Sequence, residues 1–420
     1  MTDVQKPGHF YMSELLPLLA RQPIFDRSMS VVAYELLCRT SDLNHIEVSD
    51  GDSASSQVLL HAFTDLSLDS VVGKHKAYIN FTRNLLITPP PFDRRQLVVE
   101  VLEGQRVDSS LLNGLAQLKA EGYTIALDDF ILSDDTRPLL DYADIVKLDV
   151  LQLSEIELTT HIDRLRPGGY TLLAEKVETP DMLEHCLALG FELFQGYFLE
   201  RPKILKGRKI SESKQAVLQL LAALHDPDVS IDHVEQLLSQ DPVLSYKLLR
   251  LVNSAAFALP RTIDSLRQAI TLLGLDIIRN WVNLLAMANL GDKPSELGVA
   301  ALTRARMCED LAHSMQQGQR RESFFTVGLL STLDAFMDIP LEQLLTNLSL
   351  SPPLVRALLH HEGDEGRVLK IVECYERGRW DAIDWAYLDT FGIAPSQLSE
   401  IYLAALGWVT QTMEQVGWSR

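Results

Sequence analysis

The sequence has few cysteines, no long hydrophobic run and no secretory leader pattern. Its 420 residues include four cysteines, which lie far apart and form no CxxC pair. This spacing argues against a zinc site and favours reduced thiols in a cytoplasmic protein. No stretch approaches the roughly 18 uncharged apolar residues that span a bilayer. Residues 1–23 lack the basic and apolar pattern of a signal peptide, so no membrane span and no secretion are expected.

Positive charge is also scarce, because 38 basic residues stand against 57 acidic ones and give a net charge of −19. Such a chain repels a free polyanion, which argues against broad nucleic-acid binding. An acidic protein can still bind a phosphodiester if divalent cations bridge the two. Phosphate chemistry is therefore open, provided that a metal site exists.

The chain is long enough for two domains. In its first half, short β-rich segments alternate with segments of helical spacing such as 109–122, where Gly122 is the expected stop. The β-rich segments are 30–37, 76–81, 96–102, 123–130, 143–150, 170–177 and 191–198. Seven or eight apolar strands alternating with helices predict a parallel sheet closed into a TIM-like (β/α) barrel, whose chemistry lies at the C-terminal strand ends.

Polar and mostly acidic residues follow these apolar runs. They are Glu35, Asn80, Glu100, Glu103, Asp128, Asp129, Lys147, Asp149, Glu175, Glu178 and Gln195. One acidic residue at a strand end is usually a helix cap or a loop residue. Many of them converging on one barrel mouth would repel each other and need cations to ionise together.

The oxygen-bearing side chains in this set suit Mg²⁺ or Mn²⁺ better than zinc. Glu35, Asn80, Glu100 and Asp128 are the candidate ligands, and Asp129 is placed to bind or bridge a second ion. Two ions roughly 3.5–4 Å apart can activate a water and stabilise a leaving oxygen. Lys147 either orients or deprotonates that water, neutralises the phosphoryl group, or simply pairs with a neighbouring carboxylate.

After the basic stretch 201–209 the pattern becomes helical to the C-terminus. The sequence therefore predicts domains at 1–203 and 212–420, joined by a linker at 204–211. In the second half, the adjacent His360 and His361 point about 100° apart on a helix and are poorly placed to share a metal. We expect them at a surface or a helix end.

Seven short motifs follow one another in the first half, over about residues 14–203. They read QPIFDRSMSVVAYELLCR, INF, VVEVLE, ALDDF, VKLDV, LLAEKVET and FQGYFLERP. In this order they resemble the EAL family of cyclic di-GMP phosphodiesterases. The resemblance implies metal ligands at Glu35, Asn80, Glu100, Asp128 and Asp129, catalytic roles for Lys147, Glu175 and Gln195, substrate contacts at Gln22, Arg39 and Glu178, and loop support by Glu103. It implies hydrolysis of cyclic di-GMP to the linear dinucleotide with a two-metal Mg²⁺ or Mn²⁺ site.

Two positions depart from the family pattern. The family follows Asp-Asp-Phe with a Gly-x-Gly loop, whereas residues 131–135 here contain no glycine, and Lys176 stands where the family has glycine. Glycine permits backbone conformations that other residues resist. Two functions therefore stay open, namely hydrolysis of cyclic di-GMP and a catalytically inactive receptor or adaptor.

The second half contains Asn253-Ser254, the following Ala-Ala-Phe and the segment 269–274. With these residues it resembles, over about 212–400, the HDOD domain, a helical relative of the metal-dependent HD phosphohydrolases. Where HD enzymes have their His-Asp pair, this chain has Ser331-Thr332, so no hydrolase is expected there. The resemblance implies an unidentified protein partner for the helical domain and a homodimer through the barrel.

Overall fold

The computed structural model describes residues 18–39, 68–89, 93–200, 229–239, 265–275, 294–346 and 350–415, with single positions 248, 252, 263 and 278. Eight strands form its N-terminal half. They are β1 Leu18–Asp26, β2 Val31–Arg39, β3 Lys76–Phe81, β4 Leu97–Val101, β5 Thr124–Leu127, β6 Ile145–Asp149, β7 Thr171–Glu175 and β8 Leu193–Gln195. The expected boundary at 203 and the linker at 204–211 lie outside the described residues.

The eight strands close into one barrel in sequence order. This confirms the predicted barrel, and all seven predicted β-rich segments contain a strand. The expectation of a purely parallel sheet is wrong at β1, which pairs antiparallel with both β2 and β8. A tight turn joins β1 directly to β2, with Met29 in a left-handed conformation, and so short a connection allows only an antiparallel pair.

Side chains inside the barrel alternate along each strand with a period of two. On the interior face of each strand, one residue lies in an apolar layer, and the residue two positions nearer the mouth is polar. The apolar layer contains Ile24, Ala33, Tyr78, Val98, Ala126, Ile145 and Leu173, packed against Leu193. Two residues further towards the mouth lie Gln22, Glu35, Asn80, Glu100, Asp128, Lys147, Glu175 and Gln195. Register alone therefore places the predicted polar residues in one ring.

Five described helices accompany the strands. They are α1 Leu68–Val72, α2 Arg83–Ile87, α3 Ser109–Glu121, α4 Glu155–Leu165 and α5 Pro180–Leu189. The helix predicted at 109–122 is confirmed, because Asp108 caps its start and Gly122 ends it with a φ of 88°. Their apolar faces pack on the outside of the sheet in the largest core of the molecule.

Helices make up most of the described part of the C-terminal half, as predicted. Its helices are α6 Ile231–Ser239, α7 Ser295–Ser314, α8 Arg321–Leu330, α9 Leu333–Met337, α10 Leu341–Thr346, α11 Pro352–His360, α12 Gly363–Glu376, α13 Trp385–Asp389 and α14 Pro395–Gln415. The start of the predicted helical domain, residues 212–228, lies outside the described residues. No described helix is long and apolar enough to cross a membrane.

The helical half packs against the end of the β1–β2 hairpin that extends past the barrel mouth. Leu18 and Ala20 of β1 are buried in a core formed otherwise by helices α7, α8 and α12 to α14. The Tyr375 hydroxyl donates to the Leu19 carbonyl at 2.9 Å, and the Arg21 amide donates to the Tyr402 hydroxyl at 3.2 Å. We call this contact the seam. One strand thus belongs to two cores.

Candidate active site at the barrel mouth

Lys147 lies at the centre of the acidic ring and is fully buried. Its Nζ lies 2.5 Å from Glu100 Oε1, 2.6 Å from Asp128 Oδ1, 2.8 Å from Glu175 Oε1 and 3.2 Å from Glu35 Oε2. The four carboxylates come from β2, β4, β7 and the residue after β5, so the closed barrel is what brings them together. One ammonium group offsets only part of their combined charge.

Gln195 connects this cluster to the first strand. Its Nε2 donates to Glu35 Oε2 at 2.6 Å and to Gln22 Oε1 at 2.9 Å, which fixes the orientation of the Glu35 carboxylate. Asn80 pairs in register with Glu100 on the neighbouring strand. Of the residues predicted from sequence, eight therefore converge at the mouth: Gln22, Glu35, Asn80, Glu100, Asp128, Lys147, Glu175 and Gln195.

The carboxyl groups of this cluster do not ionise freely. Burial, and then the charge of Glu35, raises the pKa of Glu100 well above its ordinary value. Burial raises the pKa of Glu175 to about 8 although Lys147 opposes the shift, and it raises the pKa of Asp128 against the same opposition. Burial disfavours charge on Lys147, but the surrounding carboxylates outweigh it and raise its pKa well above normal. The mouth is therefore short of positive charge.

Asp129 belongs to a second cluster beside the first. Its two carboxylate oxygens each lie 3.3 Å from the ammonium of Lys176, which also lies 2.5 Å from Asp149 Oδ2. Asp129 and Lys176 both have a positive φ, of 41° and 56°. The sequence identified Asp149 only as a polar strand end, and the only hint at Lys176 was its departure from the family glycine.

The loop without glycine at residues 131–135 is a compact turn. Ser133 N donates to Thr136 Oγ1 at 2.9 Å, and Thr136 Oγ1 donates to the Ile131 carbonyl at 2.7 Å. No residue from 131 to 135 has a positive φ, so the turn uses conformations that side chains tolerate. Exposed Glu103 lines a small cavity with Asp129 and Ile131.

The other predicted substrate contacts lie outside the ring. Arg39 is at the far end of β2, four residues beyond Glu35, and its Nη1 lies 2.6 Å from Asp381 Oδ1 in the helical half. Glu178 is half-buried three residues after the end of β7. The structure therefore places Arg39 at the seam, and the substrate roles of both residues stay predictions.

The donor chemistry of the ring fits a hard divalent cation. Four buried oxygens there have no hydrogen-bond partner among the described residues: Asn80 Oδ1, Glu100 Oε2, Glu175 Oε2 and Gln195 Oε1. Buried acceptors without partners are costly, and Mg²⁺ and Mn²⁺ prefer such oxygens. Across the described ranges, no three acidic, His or Cys side chains form a ready metal cage. In this arrangement the carboxylates turn to the Lys147 ammonium instead.

The position of the missing His-Asp pair in the helical half is occupied by a polar network. Ser331 Oγ accepts a hydrogen bond from Arg304 Nη1 at 3.1 Å, and the same guanidinium lies 2.8 Å from Glu376. Arg304 is almost fully buried, with 2% of its side chain exposed. A permanent guanidinium thus fills this part of the helical core.

Other expectations for the helical half have mixed outcomes. His361 ends α11 with a φ of 55°, which confirms a helix-end position, and its Nε2 lies 3.2 Å from Glu373. Within the HDOD-like segment, Ala269 and Ile270 are fully buried. Asn253-Ser254 and the Ala-Ala-Phe that follows lie outside the described residues.

Comparison with known proteins agrees with this architecture. The model of the EAL domain matches residues 18–202, and that of the HDOD domain matches residues 210–339. Helices α10 to α14 lie beyond the second match, whereas α7 and α8, which also contribute to the seam, lie within it. The barrel half of the chain thus matches one family and the start of the helical half matches another.

Two relatives match nearly the whole chain. The uncharacterized protein YuxH of Bacillus subtilis is 33% identical over 409 residues, covering 94% of this chain and 98% of that protein. Cyclic di-GMP phosphodiesterase CdgJ of Vibrio cholerae is 35% identical over 372 residues, covering 87% and 86%. A solved EAL domain protein from Listeria monocytogenes is 19% identical and covers 44% of this chain and 87% of that one, with a TM-score of 0.36. The chain belongs to the EAL family and carries an HDOD domain after its barrel.

Proposed function

We propose that the barrel hydrolyses one phosphodiester of cyclic di-GMP to linear pGpG, using Mg²⁺ or Mn²⁺, and that the helical half regulates it. The observation that carries this proposal is the ring of four carboxylates around Lys147 with unpartnered oxygens beside it. An acidic mouth repels a phosphodiester unless cations lie between them. The full-length similarity to a relative named as a cyclic di-GMP phosphodiesterase supports the same substrate.

Glu35, Asn80, Glu100 and Asp128 would hold the cation, and Asp129 is the further ligand expected from the sequence. When bound, such a cation polarises the phosphodiester and offsets the charge that builds up on its oxygens. Gln195 acts as a positioning residue, because its amide holds the Glu35 carboxylate through Nε2. Lys147 holds the carboxylates together and supplies positive charge to the phosphoryl group.

Glu175 is the group best suited to accept a proton from the attacking water. Its Oε1 is held by Lys147 at 2.8 Å, while its Oε2 is buried and has no hydrogen-bond partner among the described residues. A carboxyl whose pKa is about 8 exchanges protons readily near neutral pH, and a cation beside it would lower that value. Gln22, Arg39 and Glu178 would contact the dinucleotide. Arg39 would have to release Asp381 to do so.

The test is a turnover assay on the full chain with Mn²⁺ and cyclic di-GMP, with products separated by chromatography. Linear pGpG should form, and Glu35→Gln should abolish it, because this variant removes a ligand while keeping the side-chain size. Lys119→Gln is the matched control, since Lys119 pairs with Asp144 on the opposite side of the barrel from the mouth. Folded protein that yields no product across metals and pH would refute hydrolysis.

A second candidate is a cyclic di-GMP receptor without turnover. The observation that favours it is that the Lys176 ammonium donates hydrogen bonds to both carboxylate oxygens of Asp129, an expected metal ligand. Calorimetry with cyclic di-GMP separates the candidates, because binding without product formation supports a receptor. Absence of binding would instead support an adaptor that works through the helical half alone.

We also propose a homodimer through the barrel. Three exposed hydrophobic residues, Ile131, Leu151 and Ile156, support it, with 45%, 54% and 81% of their surface accessible. Light scattering on the native chain and on Ile156→Glu tests it, since the variant should shift the mass towards a monomer.

The four free thiols support action in a reducing compartment such as the cytoplasm. A protein partner for the helical half remains part of this proposal.

A further inference from the structure

Lys176 occupies a backbone position that favours glycine. Its φ is 56°, which a side chain resists, and the residue after it is firmly held. Val177 N donates to the Gln195 carbonyl at 3.0 Å, and the Val177 carbonyl accepts from Phe198 N at 3.2 Å. Gly196 packs so closely that a Cβ there would lie 2.1 Å from Val177 O. The turn is therefore rigid, and it fixes the direction in which the Lys176 side chain leaves.

That direction leads to the second cluster at the mouth. The Lys176 ammonium contacts Asp149 at 2.5 Å and both carboxylate oxygens of Asp129 at 3.3 Å. Asp149 is itself held, because its Oδ1 accepts from Leu151 N at 2.8 Å. The adjacent pair Asp128–Asp129 is thus divided, with Asp128 bound to the ammonium of Lys147 and Asp129 to that of Lys176. Contacts to two carboxylates offset the unfavourable backbone of Lys176.

The charges of the two clusters differ. If every group ionises, the four carboxylates around Lys147 leave a net charge of −3, whereas the two around Lys176 leave −1. A divalent cation at the Lys147 ring would reduce this negative charge, whereas a divalent cation at the Lys176 cluster would make the cluster positive. It would also meet the Lys176 ammonium at short range, where like charges repel strongly.

We propose that the Lys176 ammonium takes the place of a second divalent cation at Asp129, so that the barrel binds one such cation per chain. This inference rests on the proposed function, because it assumes that the Lys147 ring binds Mg²⁺ or Mn²⁺. It revises the two-ion site that the family resemblance implies, and it assigns a role to the departure at Lys176.

The test measures Mn²⁺ binding to the full chain without substrate. Equilibrium dialysis with elemental analysis should give one Mn²⁺ per native chain and two per Lys176→Gly chain. Glycine restores the family residue and relieves the positive φ, so this variant is expected to fold. Lys176→Gln, which keeps the length and removes the charge, should also gain a second ion. Lys119→Gln loses the same charge from a half-exposed pair with Asp144 and should still bind one.

A spectroscopic readout accompanies the count. Electron paramagnetic resonance should show an isolated Mn²⁺ signal in the native chain and a signal broadened by a neighbouring ion in Lys176→Gly. Two ions on the native chain, or one ion on both the native chain and Lys176→Gly, would overturn the role of Lys176 and leave hydrolysis standing. No bound ion on any folded variant would overturn the metal site and with it the proposed function.

Discussion

Removing the buried ammonium of Lys147 gives the sharpest test of how the mouth is held together. The variant Lys147→Met keeps a long side chain but leaves four carboxylates without their central counter-charge. Contacts of 2.5 to 3.2 Å are each worth about 5–7 kcal/mol at an effective dielectric constant near 20, before desolvation is counted. Burying the ammonium offsets much of this gain. Removing one partner of a buried ion pair typically costs about 3–5 kcal/mol.

We therefore expect the free energy of unfolding of Lys147→Met to fall by about 3–5 kcal/mol at pH 8 in a metal chelator. At pH 5.5 the loss should be smaller, because burial raises the pKa of Glu175 to about 8 and this carboxyl is then protonated. Added Mn²⁺ should restore part of the loss at pH 8 by supplying positive charge to the same oxygens.

The assay is urea unfolding followed by far-ultraviolet circular dichroism, with Lys119→Met as the control. Tryptophan fluorescence separates the two halves, since all five tryptophans lie beyond residue 200. A loss below about 1 kcal/mol at pH 8, well short of the cost of breaking a buried pair, would refute the reasoning. An equal loss at pH 5.5 and pH 8 would show that the carboxylates are not the source of the effect.

Three further predictions follow from the pKa of Glu175, the packing of Gly196 and the seam. Glu175 has a folded pKa of about 8, above its unfolded value, so its stabilising contribution is full below the unfolded pKa and is lost as pH rises through 8. Without metal, the free energy of unfolding should fall by at most about 1.4 kcal/mol per pH unit from this group, and urea titrations of Glu175→Gln should lack that slope. The free energy of unfolding of Gly196→Ala should fall by at least about 2 kcal/mol in the same titrations, because the new Cβ meets Val177. Gly104 has open space around it, so Gly104→Ala should lose only about 1 kcal/mol, from its φ of 75°. Tyr375→Phe should cost about 1–3 kcal/mol by leaving the buried Leu19 carbonyl unpaired, and it should shift the emission of Trp380, whose ring centroid lies 6.4 Å from that of Tyr375. Equal losses in the two glycine variants, or unchanged emission in Tyr375→Phe, would contradict the packing described.

The barrel and its ring were predictable because both depend on a short period. A residue two positions beyond an apolar interior residue faces the same way, so Glu35, Glu100 and Lys147 could be assigned to one mouth from their strands alone. The antiparallel β1 was harder to recognise, because its strand continues directly into a turn and carries no helix before β2. Its pairing with β2 follows from the short turn between them, whereas its pairing with β8 depends on closure of the barrel.

The seam and the Lys176 cluster could not be predicted from local sequence. The two hydrogen bonds at the seam join residues that are separated by 356 and 381 positions in the sequence. A hydrophobic period describes only neighbouring positions and does not predict such contacts. Lys176 departed visibly from the family pattern, but the departure did not identify its partners. Asp129 and Asp149 become its partners only because two strand-end turns bend towards each other, with φ values that non-glycine residues seldom adopt.

The sharing of β1 between two cores has a consequence for how the chain folds as it is made. Arg21 and Tyr402 are 381 positions apart, so at about 5–20 residues per second they leave the ribosome roughly 20–75 s apart. Leu18 and Ala20 have no helical cover until α7 is made, although β1 is needed to close the barrel as soon as β8 has been made. Among the described strands, β1 is therefore the first to be made and the last to be completely buried. Full burial of β1 waits for synthesis of α14, long after the barrel itself can close.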